Sequence, residues 1–314
     1  MNERPSFEHP RVDALIARAR ALPPLRVAVV HPCDAAAMEA VGQAQAVGLI
    51  VPVLVGPRAR IEAAAAASGT SLEGIELIDT PHSHASAEEG VRLAAQRQVE
   101  AVMKGSLHSD ELLDAVVARE GGLRTGRRIS HVYVLEVPAY ERLLLVTDAA
   151  VNVAPDLSDK RDIAQNAIDL AHVLGIAEPK MAVVAAVETV NPKMPSTLDA
   201  AALSVMARRG QITGGLVDGP LAFDNAIDPD AARAKGLDSP VAGRADILLV
   251  PDIEAGNLLA KQLLYFARAD GGGLVLGARV PVILTSRADS VRVRVASVAL
   301  ASLLARSPRA AAQG

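Results

Sequence analysis

A hydroxyl, a guanidinium and a carboxylate occur within four residues near the end of this 314-residue chain. The segment 285–289 reads Thr-Ser-Arg-Ala-Asp and joins a short apolar run to an alanine- and valine-rich stretch with helical character. A strand that leads into a helix places such groups at a helix N-terminus, which favours anions. The fork of donors on Arg287 matches phosphate and carboxylate groups, and Ser286 adds a hydroxyl. The segment therefore predicts an anion site, with a plain helix-face role for Arg287 as the alternative.

Three other polar segments follow predicted strands. Lys104-Gly105-Ser106 combines a cation, a flexible glycine and a hydroxyl, which is typical of an anion cradle, although a turn with a helix cap is an equal alternative. Segments 147–152 and 218–224 place Asp148, Asn152 and Asp218 after strands. Because open α/β sheets bind ligands at the carboxyl ends of their strands, we predict substrate-binding roles for these side chains, with turns as the alternative.

Generic catalytic motifs are missing from the sequence. It contains no phosphate loop ending in Gly-Lys-Ser/Thr, no Gly-x-Ser-x-Gly and no His-Glu-x-x-His. The glycines at 271–273 lead from a helix into a strand, the reverse of a dinucleotide site, and we interpret them as a connection. His82 and His84 are predicted to lie in a polar loop rather than to form a metal pair. Cys33, the lone cysteine, is predicted to be buried and inert.

Short β-branched runs alternate with alanine-rich helical stretches up to about residue 120, which indicates parallel βα units. Asp34 is predicted to cap the first helix of this series. The predicted strands are 26–30, 51–55, 75–78 and 99–103, and the predicted helices are 34–47, 58–67, 86–97 and 109–119.

Two strands, 129–136 and 142–147, are too close in sequence for a crossover helix and must pair as a hairpin. This break in the alternation marks a predicted domain boundary. Beyond it the predicted strands are 181–187, 215–217, 247–250, 274–276 and 282–284, and the predicted helices are 158–174, 197–209, 254–267 and 289–305.

Composition limits the function further. Half of the residues are apolar, yet there are only three Phe, three Tyr and no Trp, so the chain is poorly equipped to stack bases. With a net charge of −4, it lacks the positive field that would hold a nucleic-acid backbone. No apolar run approaches the 18 or so residues of a membrane helix. We expect a cytoplasmic protein whose partners are small molecules, not nucleic acid or membrane.

Five segments in order resemble the phosphate acetyltransferase and phosphate butyryltransferase family, over about residues 27–305. They are Thr147 to Asn152, Asp218 to Leu221 with Phe223-Asp224, Ser239 to Ala245, Pro251-Asp252 with Gly256-Asn257, and Ser286-Arg287. The Lys104-Gly105 strand end and the run 285–290 look more like the butyryl branch, and the branch fused to an enoyl-CoA hydratase, than like dedicated acetyl enzymes. A hydratase domain is not expected here.

The resemblance implies an α/β fold of two domains, similar to isocitrate and isopropylmalate dehydrogenases, with the active site in the cleft between them. The first domain would comprise 1–126 plus 280–314, and the second 127–279. The family interconverts acyl-CoA and phosphate with acyl phosphate and CoA, and the CoA thiolate attacks the acyl phosphate directly in a ternary complex. The resemblance also implies a homodimer that uses CoA as substrate and needs no metal or redox cofactor.

The resemblance also implies residue roles. Ser286 would donate to the carbonyl or phosphoryl oxygen, and Arg287 would hold the phosphoryl group. Ser130 would be a phosphate ligand, while Asp148 and Asn152 would line the cleft, with buried capping roles as the alternative.

The sequence departs from the family pattern at two positions. Acetyl-type members carry an aspartate seven residues after the motif serine, where this chain has Val293. Asp289 is the substitute candidate for activating the thiol, and a helix N-terminal charge is its alternative role. A family arginine falls near Leu113 or Asp114 here. Its role would either pass to another cation, namely Lys104, Arg124 or Arg127, or be missing from this chain.

Two alternative functions remain at this point. A metal- and NAD-dependent decarboxylating dehydrogenase would share the fold, and Asp246 and Asp252, which flank one predicted strand, could serve its metal. A non-catalytic protein that binds CoA or acyl phosphate would also fit, because of the departures at Val293 and Asp114.

Overall fold

The computed structural model describes residues 7–286 and 289–307. The strands are β1 (Leu25–Val30), β2 (Ile50–Gly56), β3 (Glu76–Asp79), β4 (Ala101–Lys104), β5 (Ser130–Glu136), β6 (Leu143–Thr147), β7 (Lys180–Val184), β8 (Leu216–Leu221), β9 (Ile247–Leu249), β10 (Asp270–Leu276) and β11 (Val282–Ile283). The helices are α1 (Pro10–Arg20), α2 (Ala35–Ala46), α3 (Arg58–Ser68), α4 (Ser83–Ala95), α5 (Ser109–Val117), α6 (Leu157–Val173), α7 (Pro195–Arg208), α8 (Phe223–Ile227), α9 (Pro229–Ala234), α10 (Ile253–Tyr265) and α11 (Val291–Ala305).

The chain divides into two compact units. Residues 13–127 and the described residues from 271 onward form the N-terminal unit, and residues 128–270 form the central unit together with the described residues up to Val12. The return to the N-terminal unit therefore lies at 270/271, not at the predicted 279/280. The physical reason is that β10 belongs with β11, since Val275 pairs antiparallel with Val282.

The sheet of the N-terminal unit has the order β3-β2-β1-β4-β11-β10. Strand β1 is apolar apart from Arg26, and parallel neighbours β2 and β4 flank it, so Val30 lies level with Val55 and Lys104. Asp34 caps α2 by accepting from the Ala37 nitrogen at 2.8 Å, as predicted. The alternation of strands and helices thus forms the parallel βα series that the sequence indicates.

The sheet of the central unit has the order β5-β6-β9-β7-β8. The antiparallel hairpin is confirmed, with register from Val132–Thr147 to Glu136–Leu143, and the remaining neighbours are parallel. Glu136 accepts from the Val12 nitrogen at 2.9 Å and pairs with Arg11 at 3.1 Å. These contacts tie the first described residues to the central unit.

Several predicted elements differ from the structure. Strand β8 runs on to Leu221, so Asp218 lies inside a strand and not in the loop predicted to follow it. The glycines at 271–273 lie within β10, where a Cβ on Gly272 would come within 2.5 Å of the Ser297 nitrogen on α11. They allow close helix–strand packing and are not a connection. Helices α1, α8 and α9 were not predicted.

Among the described residues, no helix combines the length and apolar character needed to cross a membrane.

Candidate active site

The segment after β4 is hydrogen-bonded to the end of β1. The Gly105 nitrogen donates to the Val30 oxygen at 2.8 Å, and the Ser106 hydroxyl donates to the His31 oxygen at 2.8 Å. The same hydroxyl accepts from the Cys33 nitrogen at 3.1 Å. A Cβ on Gly105 would lie 2.5 Å from the Val30 oxygen, so the approach of the two backbones requires glycine. In this structure Ser106 joins two strand ends, and its substrate role stays a prediction.

Lys104 is buried at the carboxyl end of β4, with 6% of its surface exposed. Its Nζ donates to the oxygens of Gly105 at 3.3 Å and Leu107 at 3.1 Å. The backbone therefore holds an ammonium group where the sequence predicts an anion cradle.

A polar group around His31 was not found by sequence reasoning. His31 adopts a left-handed backbone with φ 54°, and its Nδ1 lies 3.2 Å from the Ser86 hydroxyl. Its Nε2 lies 3.3 Å from Arg60. Burial, reinforced by Arg60, lowers the pKa of His31, which favours the neutral ring. A histidine directly after an apolar strand is the signal that could have found it.

The histidine pair lies at the start of α4, and Cys33 is half-buried, not fully buried as predicted. His82 caps α4 by accepting from the Ala85 nitrogen at 3.2 Å, so α4 begins three residues before the predicted start. His84 lies 3.5 Å from Glu111. Burial raises the pKa of the Cys33 thiol, which disfavours the thiolate that a nucleophile needs.

The segment around Ser286 is closed by hydrogen bonds between its two ends. The Ser286 nitrogen donates to Asp289 Oδ2 at 2.7 Å, and the Asp289 nitrogen donates to the Ser286 oxygen at 3.2 Å. Ser286 itself is exposed. Helix α11 begins at Val291, with Ser290 as its N-cap, so Asp289 precedes the helix predicted to begin with it. Arg287 lies outside the described residues, and its predicted role is untested.

Arg294 holds the same segment and was also not found by sequence reasoning. This arginine of α11 is only 7% exposed. Its guanidinium donates to the oxygens of Ser286 at 3.2 Å, Asp289 at 3.3 Å and Ala36 at 3.1 Å. The sequence signal for this role is weak, because α11 carries two arginines, Arg292 and Arg294, among mostly apolar residues.

In the central unit, Asp148 closes the loop that follows β6. Its Oδ1 accepts from the nitrogens of Ala150 at 2.9 Å and Val151 at 3.0 Å. Its Oδ2 accepts from Asn152 twice, from the backbone at 3.1 Å and from the side chain at 2.5 Å. Burial raises the pKa of Asp148, and these four bonds oppose that shift.

Asn152 and Ser130 belong to the same buried network. The Asn152 amide donates to the Ile129 oxygen at 2.8 Å, and Arg128 Nε donates to Asn152 Oδ1 at 2.8 Å. Ser130 is fully buried, and its hydroxyl accepts from Asn166 at 2.9 Å. The structure thus brings three predicted site residues together, each engaged with protein partners.

Asp218 is separate from this network. In register it lies level with Ala182 on β7, Leu248 on β9 and Val146 on β6. Three strand spacings separate it from β6, which is about 14 Å. It lines a groove of about 510 Å³ with Ser204 and Arg208 of α7. A shared ligand with Asp148 is therefore not supported by this position.

The carboxylates proposed for the dehydrogenase alternative do not converge. Asp246 precedes β9, where it accepts from the Lys180 nitrogen at 2.9 Å and from Arg142 at 3.2 Å. Asp252 follows β9 and caps α10 through the Ala255 nitrogen at 2.9 Å. No group of three or more His, Cys, Asp or Glu residues within 7–286 and 289–307 could hold a metal ion.

A family model described as phosphate acetyl/butaryl transferase matches residues 85–302. A phosphate acetyltransferase of Rhizobium meliloti is 56% identical over 96% of this chain and 95% of its own length. The chain belongs to this family. It is therefore an acyltransferase. A phosphate butyryltransferase of Clostridium acetobutylicum is 44% identical over 89% of this chain and 93% of its own length.

One solved structure agrees with this assignment, and a second shares the fold. A branched-chain phosphotransacylase from Enterococcus faecalis V583 superimposes with a TM-score of 0.79, at 30% identity over 90% of this chain and 99% of its own. A 4-hydroxythreonine-4-phosphate dehydrogenase from Klebsiella pneumoniae superimposes with a TM-score of 0.52, at 15% identity over 90% of this chain and 100% of its own length. That second likeness concerns the fold alone, which is mixed α/β.

Proposed function

We propose that this acyltransferase interconverts acyl-CoA and phosphate with acyl phosphate and CoA. The observation that carries the proposal is its extensive identity with one relative named for acetyl transfer and another named for butyryl transfer. The two names share one reaction and differ in the acyl group, so the proposal leaves the acyl chain open between acetyl and butyryl.

In the proposed reaction, the CoA thiolate attacks the acyl-phosphate carbonyl while both substrates are bound. The carbon–sulfur bond forms, the carbonyl oxygen gains negative charge, and phosphate leaves with the electron pair of the carbon–oxygen bond. Fixed donors to these oxygens lower the barrier because they are oriented before the charge develops. Ser286 would donate to the carbonyl or phosphoryl oxygen, and Arg287 would hold the phosphoryl group.

The surroundings of Ser286 support its role as the exposed donor. Both of its backbone polar groups are bonded within the protein, and the residue faces solvent. Lys104 would contribute positive charge to substrate binding from its own strand end. The bond from the Ser286 nitrogen to Asp289 favours a positioning role for that carboxylate over thiol activation.

The hydrogen bonds of Asp148 and Asn152 support a different role for these two residues. Their polar groups hold the loop 148–152 and the backbone of Ile129, so their contact with substrate would come through the loop that they shape. Ser130, whose hydroxyl accepts from Asn166, would remain a phosphate ligand. The dehydrogenase-like arrangement with a cleft between two domains, the homodimer and a cytoplasmic location also belong to this proposal.

Phosphate-dependent release of CoA from acetyl-, propionyl- and butyryl-CoA tests the proposal. We expect thiol release that requires phosphate and differs among the three acyl groups. Binding of CoA by calorimetry without thiol release from any of them would indicate the non-catalytic alternative and refute the proposal.

A further inference from the structure

Helix α11 contributes a buried arginine to the segment that contains Ser286. Arg294 lies in the first turn of the helix and is 7% exposed. Burying a guanidinium is costly unless its N–H groups are used, and here it donates to the oxygens of Ser286 and Asp289. The arginine and the two carbonyls therefore hold one another in place.

A third bond fixes this segment against another helix. Arg294 also donates to the oxygen of Ala36, in the first turn of α2 and 258 residues away in sequence. Helix α2 is itself fixed at its start, because Asp34 caps it. Arg294 thus sets the positions of Ser286 and Asp289 relative to α2, and not only relative to its own helix.

Ser286 is held from both sides of its backbone. Its nitrogen donates to Asp289 Oδ2 at 2.7 Å, and its oxygen accepts from Arg294 at 3.2 Å. The residue is nevertheless exposed. This combination fixes the backbone of an exposed residue, so the position of the Ser286 side chain depends on Asp289 and Arg294.

We propose that Arg294 is a positioning residue for acyl transfer, which acts by fixing the backbone of Ser286. The inference rests on the proposed function of Ser286. A displacement of about 1 Å at a reacting group can cost about a hundredfold in rate, so the loss of this brace affects turnover more than ground-state binding.

Arg294→Lys is the central test. Lysine keeps the charge but has one compact ammonium, which cannot reproduce a planar fork to three carbonyls. We expect kcat per folded molecule to fall about tenfold to a hundredfold, with KM for CoA and for acyl phosphate changing by less than about threefold. The matched control is Arg306→Lys, at the end of the same helix, where the arginine pairs with Glu100 at 2.9 Å. Its kcat is expected to remain at the wild-type value.

A second variant separates positioning from a merely structural role. Arg294→Ala removes the side chain, and added methylguanidinium can occupy the space and restore the lost donors. We expect rescue of kcat in Arg294→Ala and no stimulation of the wild type, with the folded fraction followed by circular dichroism. Wild-type kcat in Arg294→Lys, or a loss that only parallels the folded fraction and is not rescued, would overturn the inference. An inactive wild type would instead contradict the proposed function itself.

Discussion

Ser286 in the N-terminal unit and Asp148 in the central unit both follow a buried strand, yet their side chains are used differently. Asp148 is 2% exposed, and its two carboxylate oxygens accept four hydrogen bonds from its own loop. Ser286 is exposed, and its backbone is held by the side chains of Asp289 and Arg294. A polar residue after a strand can thus hold its own loop through its side chain, as Asp148 does, or be held by other side chains and remain exposed, as Ser286 is.

The largest effect is expected from substitutions at Ser286 and Arg287. If Ser286 donates to the developing charge as proposed, Ser286→Ala removes that donor, and kcat should fall a hundredfold or more while the protein stays folded. Arg287→Ala should lose as much, by the role that the family resemblance gives it. Steady-state thiol release, with folding checked by circular dichroism, measures both. Near-native turnover in the two variants would refute the assignment of Ser286 and Arg287 to the active site.

Asn152→Ala tests whether Asp148 and Asn152 stabilise the loop that follows β6. The substitution strips partners from Asp148, from the Ile129 oxygen and from Arg128, so we expect the free energy of unfolding to fall by about 3 kcal/mol. Urea unfolding provides the measurement. Asn257→Ala, which removes one bond to the Ala149 oxygen beside the same loop, is the matched control and should cost about 1 kcal/mol. Unchanged stability together with lost activity in Asn152→Ala would place Asn152 among the substrate ligands instead.

His131 is a buried histidine of the central unit. Burial lowers the pKa of this histidine to about 3, against an ordinary value of 6.5. The unfolded chain therefore binds the proton more readily, so the stabilisation is complete above pH 6.5 and is lost as the pH falls toward 3.

Thermal unfolding between pH 7.5 and 5 checks this effect. The wild type should lose more stability over that interval than His131→Asn, whose side chain does not titrate. His172→Asn, at a half-buried position in the same unit, controls for the substitution. Equal losses in the wild type and His131→Asn would show that His131 is not held neutral by its surroundings.

The smallest effect is expected at Asp289. Asparagine also offers an oxygen to the Ser286 nitrogen, so Asp289→Asn should change kcat less than about threefold and leave the pH profile unaltered. If Asp289 took the thiol proton, the same variant would lose activity at neutral pH and recover it as the pH approached the pKa of the thiol, about 8.5. The kcat–pH profile of this variant decides between positioning and base catalysis.

Much of the fold follows from local patterns. The hairpin of β5 and β6 is forced by the short connection between them, and the cap at Asp34 follows from residue type and position. Strand β8 was underestimated because Asp218-Gly219-Pro220 is typical of a turn. The strand continues there because β8 is an edge strand, where proline is tolerated. A Cβ at Gly219 would lie 2.6 Å from the Val183 oxygen, so the absence of a side chain allows the close approach of β7.

The candidate site was less predictable. Ser286 and Lys104 stand out by type and by their position after strands. The role of Arg294 depends on Ala36, which is distant in sequence, so no local pattern could reveal it. The saturation of Asp148 and Asn152 likewise follows from loop geometry, and residue types alone fit either a ligand or a cap.

The proposed acyl transfer to phosphate is tested by the ratio of the two products. With acyl-CoA and phosphate, the wild type should form one acyl phosphate, trapped as the hydroxamate, for each CoA thiol released, and Ser286→Ala should slow both products together. Thiol release without acyl phosphate would show transfer of the acyl group to water and would contradict the account.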